Sequence, residues 1–153
     1  MNKKIKIFDL SEQYESISKE VDKNILNILK SGQYILGGNV RELEAKFSNF
    51  IGSKYSISCN SGTDALILSL RALNIGHGDE VITTPFTYFA TAEAIVLVGA
   101  KPIFVDINPH TFNINYKNIE KHINKRTKAI MPVHIFGPYK IRKFCLKFPY
   151  ISS

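Results

Sequence analysis

Cysteine is scarce in this chain. Only Cys59 and Cys145 are present, too few and too far apart for a disulfide framework or a metal-ligand spacing. Cys59 reads as a core thiol on the apolar side of a strand end. Long hydrophobic runs are missing as well. The longest, Ala94 to Ala100, falls short of the ~18 residues of a membrane helix. Met1-Asn2-Lys3-Lys4-Ile5-Lys6 is basic but has no apolar stretch behind it, so no secretory signal is read. The expectation is a cytoplasmic chain without a membrane partner. Acidic side chains are absent from residues 138–153, which carry Lys140, Arg142, Lys143 and Lys147. A basic segment can bind nucleic acid. No aromatic-interleaved basic stripe accompanies this one, so nucleic acid is not expected, and the net charge of +7 reads as an excess weighted to an atypical tail. Internal repeats and low-complexity linkers are also lacking.

What is present is a chain of 153 residues, 44% hydrophobic and 22% charged, a size and balance that suit one globular domain. Its organising stretch is Ser61-Gly62-Thr63. Tyr55 to Cys59 alternates like a strand with one apolar face, and Ala65, Leu66, Leu68, Leu70, Ala72 and Leu73 read as a helix closed by Gly76. A strand, a tight turn and a helix start gather unpaired N–H groups and the positive helix end at one point, which suits a phosphate. Gly62 lets the backbone come close, and the Ser61 and Thr63 hydroxyls can donate. Taken alone, the turn is more simply an N-capped connection.

Upstream, Asp9 with Glu12 resembles a capping pair, and Tyr14, Ile17, Val21, Ile25 and Ile28 mark one helical face stopped by Ser31-Gly32. Gln33-Tyr34-Ile35-Leu36-Gly37-Gly38 is a glycine-bounded loop whose two large side chains make either a hydrophobic staple or a ligand rim, the staple being the simpler reading. Val40, Leu43, Phe47, Phe50 and Ile51 form a second amphipathic helix ended by Gly52. Downstream, strands are expected at Glu80–Thr84, Pro102–Val105 and Ala129–Val133. Helices are expected at about Tyr88–Val98 and around Tyr116, Ile119 and Ile123, with a turn at Asn108-Pro109. Strands alternating with helices predict an α/β fold, a mostly parallel sheet with helices on both faces. Ligands bind at the carboxyl ends of such strands. Ser61-Gly62-Thr63, Pro85-Phe86-Thr87-Tyr88, Asp106 and His134-Ile135-Phe136-Gly137 all leave strands there. Each has a plain structural reading. Tyr88 can be a helix-start core residue, Asp106 a turn residue, and His134 a hydrogen-bonded structural imidazole.

Several stretches in one order, across residues 5 to 137, resemble the N-terminal part of the DegT/StrS-type aminotransferases. They are Phe8-Asp9-Leu10 with Gln13-Tyr14; Gly32-Gln33-Tyr34-Ile35-Leu36-Gly37; Ser61-Gly62-Thr63-Asp64-Ala65-Leu66; Gly78-Asp79-Glu80-Val81-Ile82; Thr84-Pro85-Phe86-Thr87-Tyr88 with Ala90-Thr91; Gly99-Ala100-Lys101-Pro102 with Val105-Asp106; and His134-Ile135-Phe136-Gly137. The resemblance implies a partial, truncated type I PLP-transferase large domain and pyridoxal 5'-phosphate (PLP) as cofactor. It implies that Ser61, Gly62 and Thr63 hold the cofactor phosphate, that Tyr88 stacks on its ring, and that His134 lies beside it. Tyr34 and Gly37 would belong to a sugar-side or dimer-partner rim. The implied reaction moves an amino group from glutamate to a nucleotide-linked keto sugar, in cell-surface polysaccharide or deoxyamino-sugar biosynthesis, in a homodimer. The wording around Thr84-Pro85-Phe86 looks closest to members acting on UDP-linked N-acetylated 3-keto hexuronic acids.

The resemblance stops at Gly137. The family's ring-nitrogen carboxylate and Schiff-base lysine have no counterpart, since Lys140 and Lys143 stand in no matching context, and no catalytic residue is assigned. The expectation is a fragment, residues 1–137, followed by a tail out of frame, inactive alone. The alternatives are a non-catalytic PLP or nucleotide-sugar binder, or a product degraded after synthesis. In the implied fold, strand Tyr55–Cys59 is separated from the next three by strands contributed later in the chain.

Overall fold

The structure, a computed structural model, describes residues 8–136. Gly137 and the basic segment 138–153, with Lys140, Lys143 and Cys145, lie outside the described residues. The chain divides into two compact units, Met1–Ser58 and Cys59–Ser153.

The first unit contains helices α1 (Ser11–Ser31) and α2 (Gly38–Ile51). Leu10 stands at the N-cap of α1 without a side-chain cap bond, and just before it Asp9 Oδ1 accepts from Ser11 N–H at 3.0 Å and Ser11 Oγ–H at 2.7 Å. Helix α2 ends as expected at Gly52, in the left-handed region at φ 71°. Neither helix buries its apolar stripe: α1 has no buried residue and α2 only Ser48. Both stripes are legible because helical spacing sets them.

Residues 55–59 do not form a strand. A strand needs a neighbour to take its N–H and C=O groups, and among the described residues this stretch pairs with none. Ile57 stays 84% exposed. Cys59 is likewise exposed, its Sγ–H meeting Ser61 O at 3.4 Å, so it is not a core thiol.

The second unit carries the sheet. Helix α3 (Gly62–Ala72) leads to β1 (Glu80–Thr83), α4 (Ala90–Leu97), β2 (Lys101–Phe104), a short α5 (Tyr116–Ile119) continued by a 3-10 turn, and β3 (Thr127–Ile130). Helix α3 stops before Gly76, because Asn74 already turns the chain at φ 55°. The sheet order is β2-β1-β3, all parallel, so β1 is central and buried along its whole length. Side chains alternate across it. Val81 and Ala129 face one cluster with Leu70, Ile75, Ala94, Ile95, Ala100 and Met131. Ile82 and Ile130 face another with Val105, Ile114 and Ile119. The partial parallel α/β domain expected from the sequence is therefore present. Glu80 is the charged member of β1. Only 3% exposed, it accepts from Asn124 Nδ2–H at 2.7 Å and pairs with Arg126 at 2.7 Å.

Candidate functional site

Parallel strands send all their exits to one edge. Residues 84–88 leave β1 there, 105–115 leave β2, and 131–136 leave β3. Helix α3 lies on one sheet face, since Leu66, Ile67 and Leu70 pack with Val81 and Ile95. Its C-terminal end joins the amino end of β1 through the short segment 73–79, so its N-terminus is directed toward the exit edge.

That N-terminus is built by Ser61. Extended at φ −155°, it caps α3, and its Oγ accepts from Asp64 N–H at 3.0 Å. The same hydroxyl donates to Asp64 Oδ2 at 3.0 Å, and Asn60 Nδ2–H donates to that oxygen at 3.2 Å. The first helical bond of α3 is Ala65 N–H to Ser61 O. The N–H groups of Gly62 and Thr63 therefore have no helical acceptor, and the Thr63 hydroxyl has no partner among the described residues. A Cβ on Gly62 would meet nothing within 4 Å, so the approach to these donors is open. Two N–H groups, a hydroxyl and a helix dipole are a donor set that fits a phosphate. Asp64 complements the same dipole, which leaves the Gly62 and Thr63 N–H groups as the donors of this turn without a helical acceptor.

The β1 exit is fixed by its own threonines. Thr84 Oγ1 accepts from Phe86 N–H at 3.2 Å, Thr87 N–H donates to Pro85 O at 3.1 Å, and the Thr87 and Thr91 hydroxyls share a bond of 2.9 Å. Tyr88 stands on this turn 81% exposed, and α4 starts two residues after it. It is not the buried helix-start residue that its plain reading offered. Asp106 spends Oδ1 on Ile107 N–H at 2.7 Å, a local turn role. His134, on the β3 exit, is held through Nδ1 by Asn113 Oδ1 at 3.3 Å. Asn113 was not singled out by sequence reasoning, nor was Phe112. The turn signal at Asn108-Pro109 marks their loop but not their contacts.

Tyr34 and Gly37 belong to the first unit. Tyr34, 64% exposed, donates its hydroxyl to Leu29 O at 2.9 Å. Ile35 and Leu36 are also exposed, so the loop is not a hydrophobic staple. Gly37 caps α2, and a Cβ there would lie 2.8 Å from Gln33 O, which explains the glycine. Among the described residues no cluster could hold a metal ion, and no helix is long and apolar enough to cross a membrane.

Comparison with known proteins assigns this architecture. The chain is 50% identical over 133 residues to a Pseudomonas aeruginosa protein named UDP-2-acetamido-2-deoxy-3-oxo-D-glucuronate aminotransferase; the match takes in 87% of this chain and 37% of the relative. S. venezuelae DesV, solved in complex with a ketimine intermediate, superposes with a TM-score of 0.87 at 37% identity, over 92% of this chain and 38% of that one. NtdA from Bacillus subtilis, solved with bound cofactor PMP, gives 0.84 at 32% identity, over 95% of this chain and 35% of its own. The chain thus spans little more than a third of the length of these three relatives. Residues 15–141 match the profile of the DegT/DnrJ/EryC1/StrS aminotransferases, which are PLP-dependent, and the chain belongs to that family.

Proposed function

We propose that the exit edge of the sheet is the phosphate-gripping and ring-facing part of an enzyme that moves an amino group from glutamate to a keto group on a nucleotide-linked sugar. When bound, PLP supplies the electron sink for bond changes at the amino-bearing carbon. This chain's residues bind and orient it. Gly62 and Thr63 would take the phosphate through their N–H groups, with the Thr63 hydroxyl as third donor and Ser61 shaping the turn. Tyr88 would offer its exposed flat face to the ring. His134 would stand beside it, with Nδ1 engaged by Asn113. Tyr34 and Gly37 would contribute to a rim on the sugar side or toward the second subunit of a homodimer. The name of the Pseudomonas relative supports a UDP-linked N-acetylated 3-keto hexuronate as substrate class. The observation that carries the reading is the start of α3, where two N–H groups without helical acceptors meet an unengaged hydroxyl.

The test is PLP titration of the purified chain and two variants. Thr63→Val removes a donor to a charged group, and such a bond is worth about 1.5–3 kcal/mol, so affinity should fall about tenfold or more. Ser69→Val is the control, because Ser69 Oγ–H donates inside the helix to Ala65 O at 2.7 Å. Equal affinities for the two variants, or no saturable binding by the unchanged chain, overturn the reading.

A further inference from the structure

The chain between β2 and α5 folds as a narrow hairpin. Asn115 N–H donates to Asp106 O and Asn108 N–H to Asn113 O, each at 2.8 Å, and Ile107 and Ile114 form an antiparallel bridge. Asn108 makes the tip, its Oδ1 accepting from His110 N–H at 2.9 Å and Thr111 N–H at 3.3 Å. Phe112 leaves the tip at φ 58°, a conformation bulky side chains rarely adopt. Ile114, 1% exposed, anchors the hairpin in the second core cluster. A conformation like that of Phe112 persists where its surroundings over-determine it.

Contacts from Phe112 and Asn113 reach both neighbouring exits. The Phe112 ring lies 5.7 Å from Phe86, tilted by 32°, and 5.5 Å from Phe136, edge-on at 85°. Both separations are those of favourable aromatic pairs. Phe86 precedes Tyr88 by two residues, and Phe136 follows His134 by two. Next to Phe112, the buried Asn113 directs Oδ1 to His134 Nδ1. An amide oxygen only accepts, so Nδ1 carries the proton in this contact.

We infer that the hairpin 106–115 is a clamp: Phe112 couples the β1 and β3 exits through its ring, and Asn113 holds His134 as the Nδ1–H tautomer. Phe112 and Asn113 are then positioning residues for Tyr88 and His134, a role that rests on the PLP reading, whereas the clamp itself does not.

The experiment uses the 15N-labelled 153-residue chain without ligand. Phe112→Gly keeps the left-handed backbone and removes the ring, while Phe112→Tyr keeps the ring. The expected result is that Phe112→Gly shifts the amide signals of residues 86–88 and 134–136 together and Phe112→Tyr restores both. Asn113→Ala should move the His134 imidazole nitrogens from the Nδ1–H pattern toward Nε2–H and leave residues 86–88 in place. If Phe112→Gly loses the amide signals of Val81 and Ile82, Phe86→Leu replaces it. That change should perturb residues 134–136 through Phe112. Movement of one exit only or of neither, silence at 134–136 in Phe86→Leu, or an Nε2–H ring in the unchanged chain overturns the clamp. Because no cofactor is added, this outcome is separate from the PLP titration: a coupled pair of exits in a chain that does not bind PLP keeps the clamp and removes the PLP reading.

Discussion

Ser61 and Asp64 bond each other in both directions across the first turn of α3. The Asp64 N–H donates to Ser61 Oγ, and the Ser61 hydroxyl donates to Asp64 Oδ2, both at 3.0 Å. Each thus spends its polar groups on the turn that holds Gly62 and Thr63. Ser61→Ala should lower the stability of the second unit by about 1 kcal/mol, and Ser61→Gly by a few tenths. Urea unfolding followed by helical signal checks the order. Equal losses would show that the cap bond does not stabilise the turn.

Acid stability should report on Glu80. The Asn124 amide, helped by the charge and hydrogen bond of Arg126, holds its carboxyl below the ordinary 4.5, while burial opposes them. A depressed folded value means that the stabilisation is fully present above about pH 4.5, the unfolded value, and is lost as pH falls through the folded one. The Tm of the unchanged chain should therefore drop more steeply below that pH than the Tm of Glu80→Gln. Parallel curves would show that the pair with Asn124 and Arg126 has no thermodynamic weight.

Neighbouring residues on α4 should differ sharply. Ile95 is 0% exposed and Val96 58% exposed. Truncating Ile95 to Ala should cost about 2–5 kcal/mol, from lost transfer and a cavity beside Val81 and Leu70. Val96→Ala should stay within about 0.5 kcal/mol. Chemical denaturation of both variants checks this, and similar losses would contradict the placement of α4 on the sheet.

Amide exchange should separate residues 55–57 from β1. Tyr55, Ser56 and Ile57 have no backbone acceptor among the described residues, whereas Val81 and Ile82 lie in the central strand. Ser58 stands apart, its N–H donating to Glu44 Oε1 at 2.8 Å. Exchange close to the open-chain rate is expected at 55–57 and strong protection at 81–82. Strong protection throughout 55–57 would reveal a strand partner.

The sequence made some of this legible and hid the rest for physical reasons. The buried run Glu80–Thr83, the strands at Lys101–Phe104 and Thr127–Ile130, and the helix stop at Gly52 follow from local pattern, and each lies within a few residues of its expected bounds. Tyr55–Cys59 has a strand's alternation too, but pairing depends on a neighbour, and alternation cannot supply one. Exposure of Cys59 follows from the same gap. The contacts of Phe112 and Asn113 join segments more than twenty residues apart, where no local periodicity reaches.

The central place of β1 also sets an order of assembly. Its partners along the sheet are Lys101, twenty-one residues after Glu80, and Thr127, forty-seven after it. Closing the longer loop costs about 0.7 kcal/mol more chain entropy, and α4 can bridge only the shorter one. The β1-α4-β2 unit should then form first and β3 dock onto it last. A strand that emerges early from the ribosome and must wait longest for its second neighbour is the part of this chain most exposed to capture by another copy while it is being made.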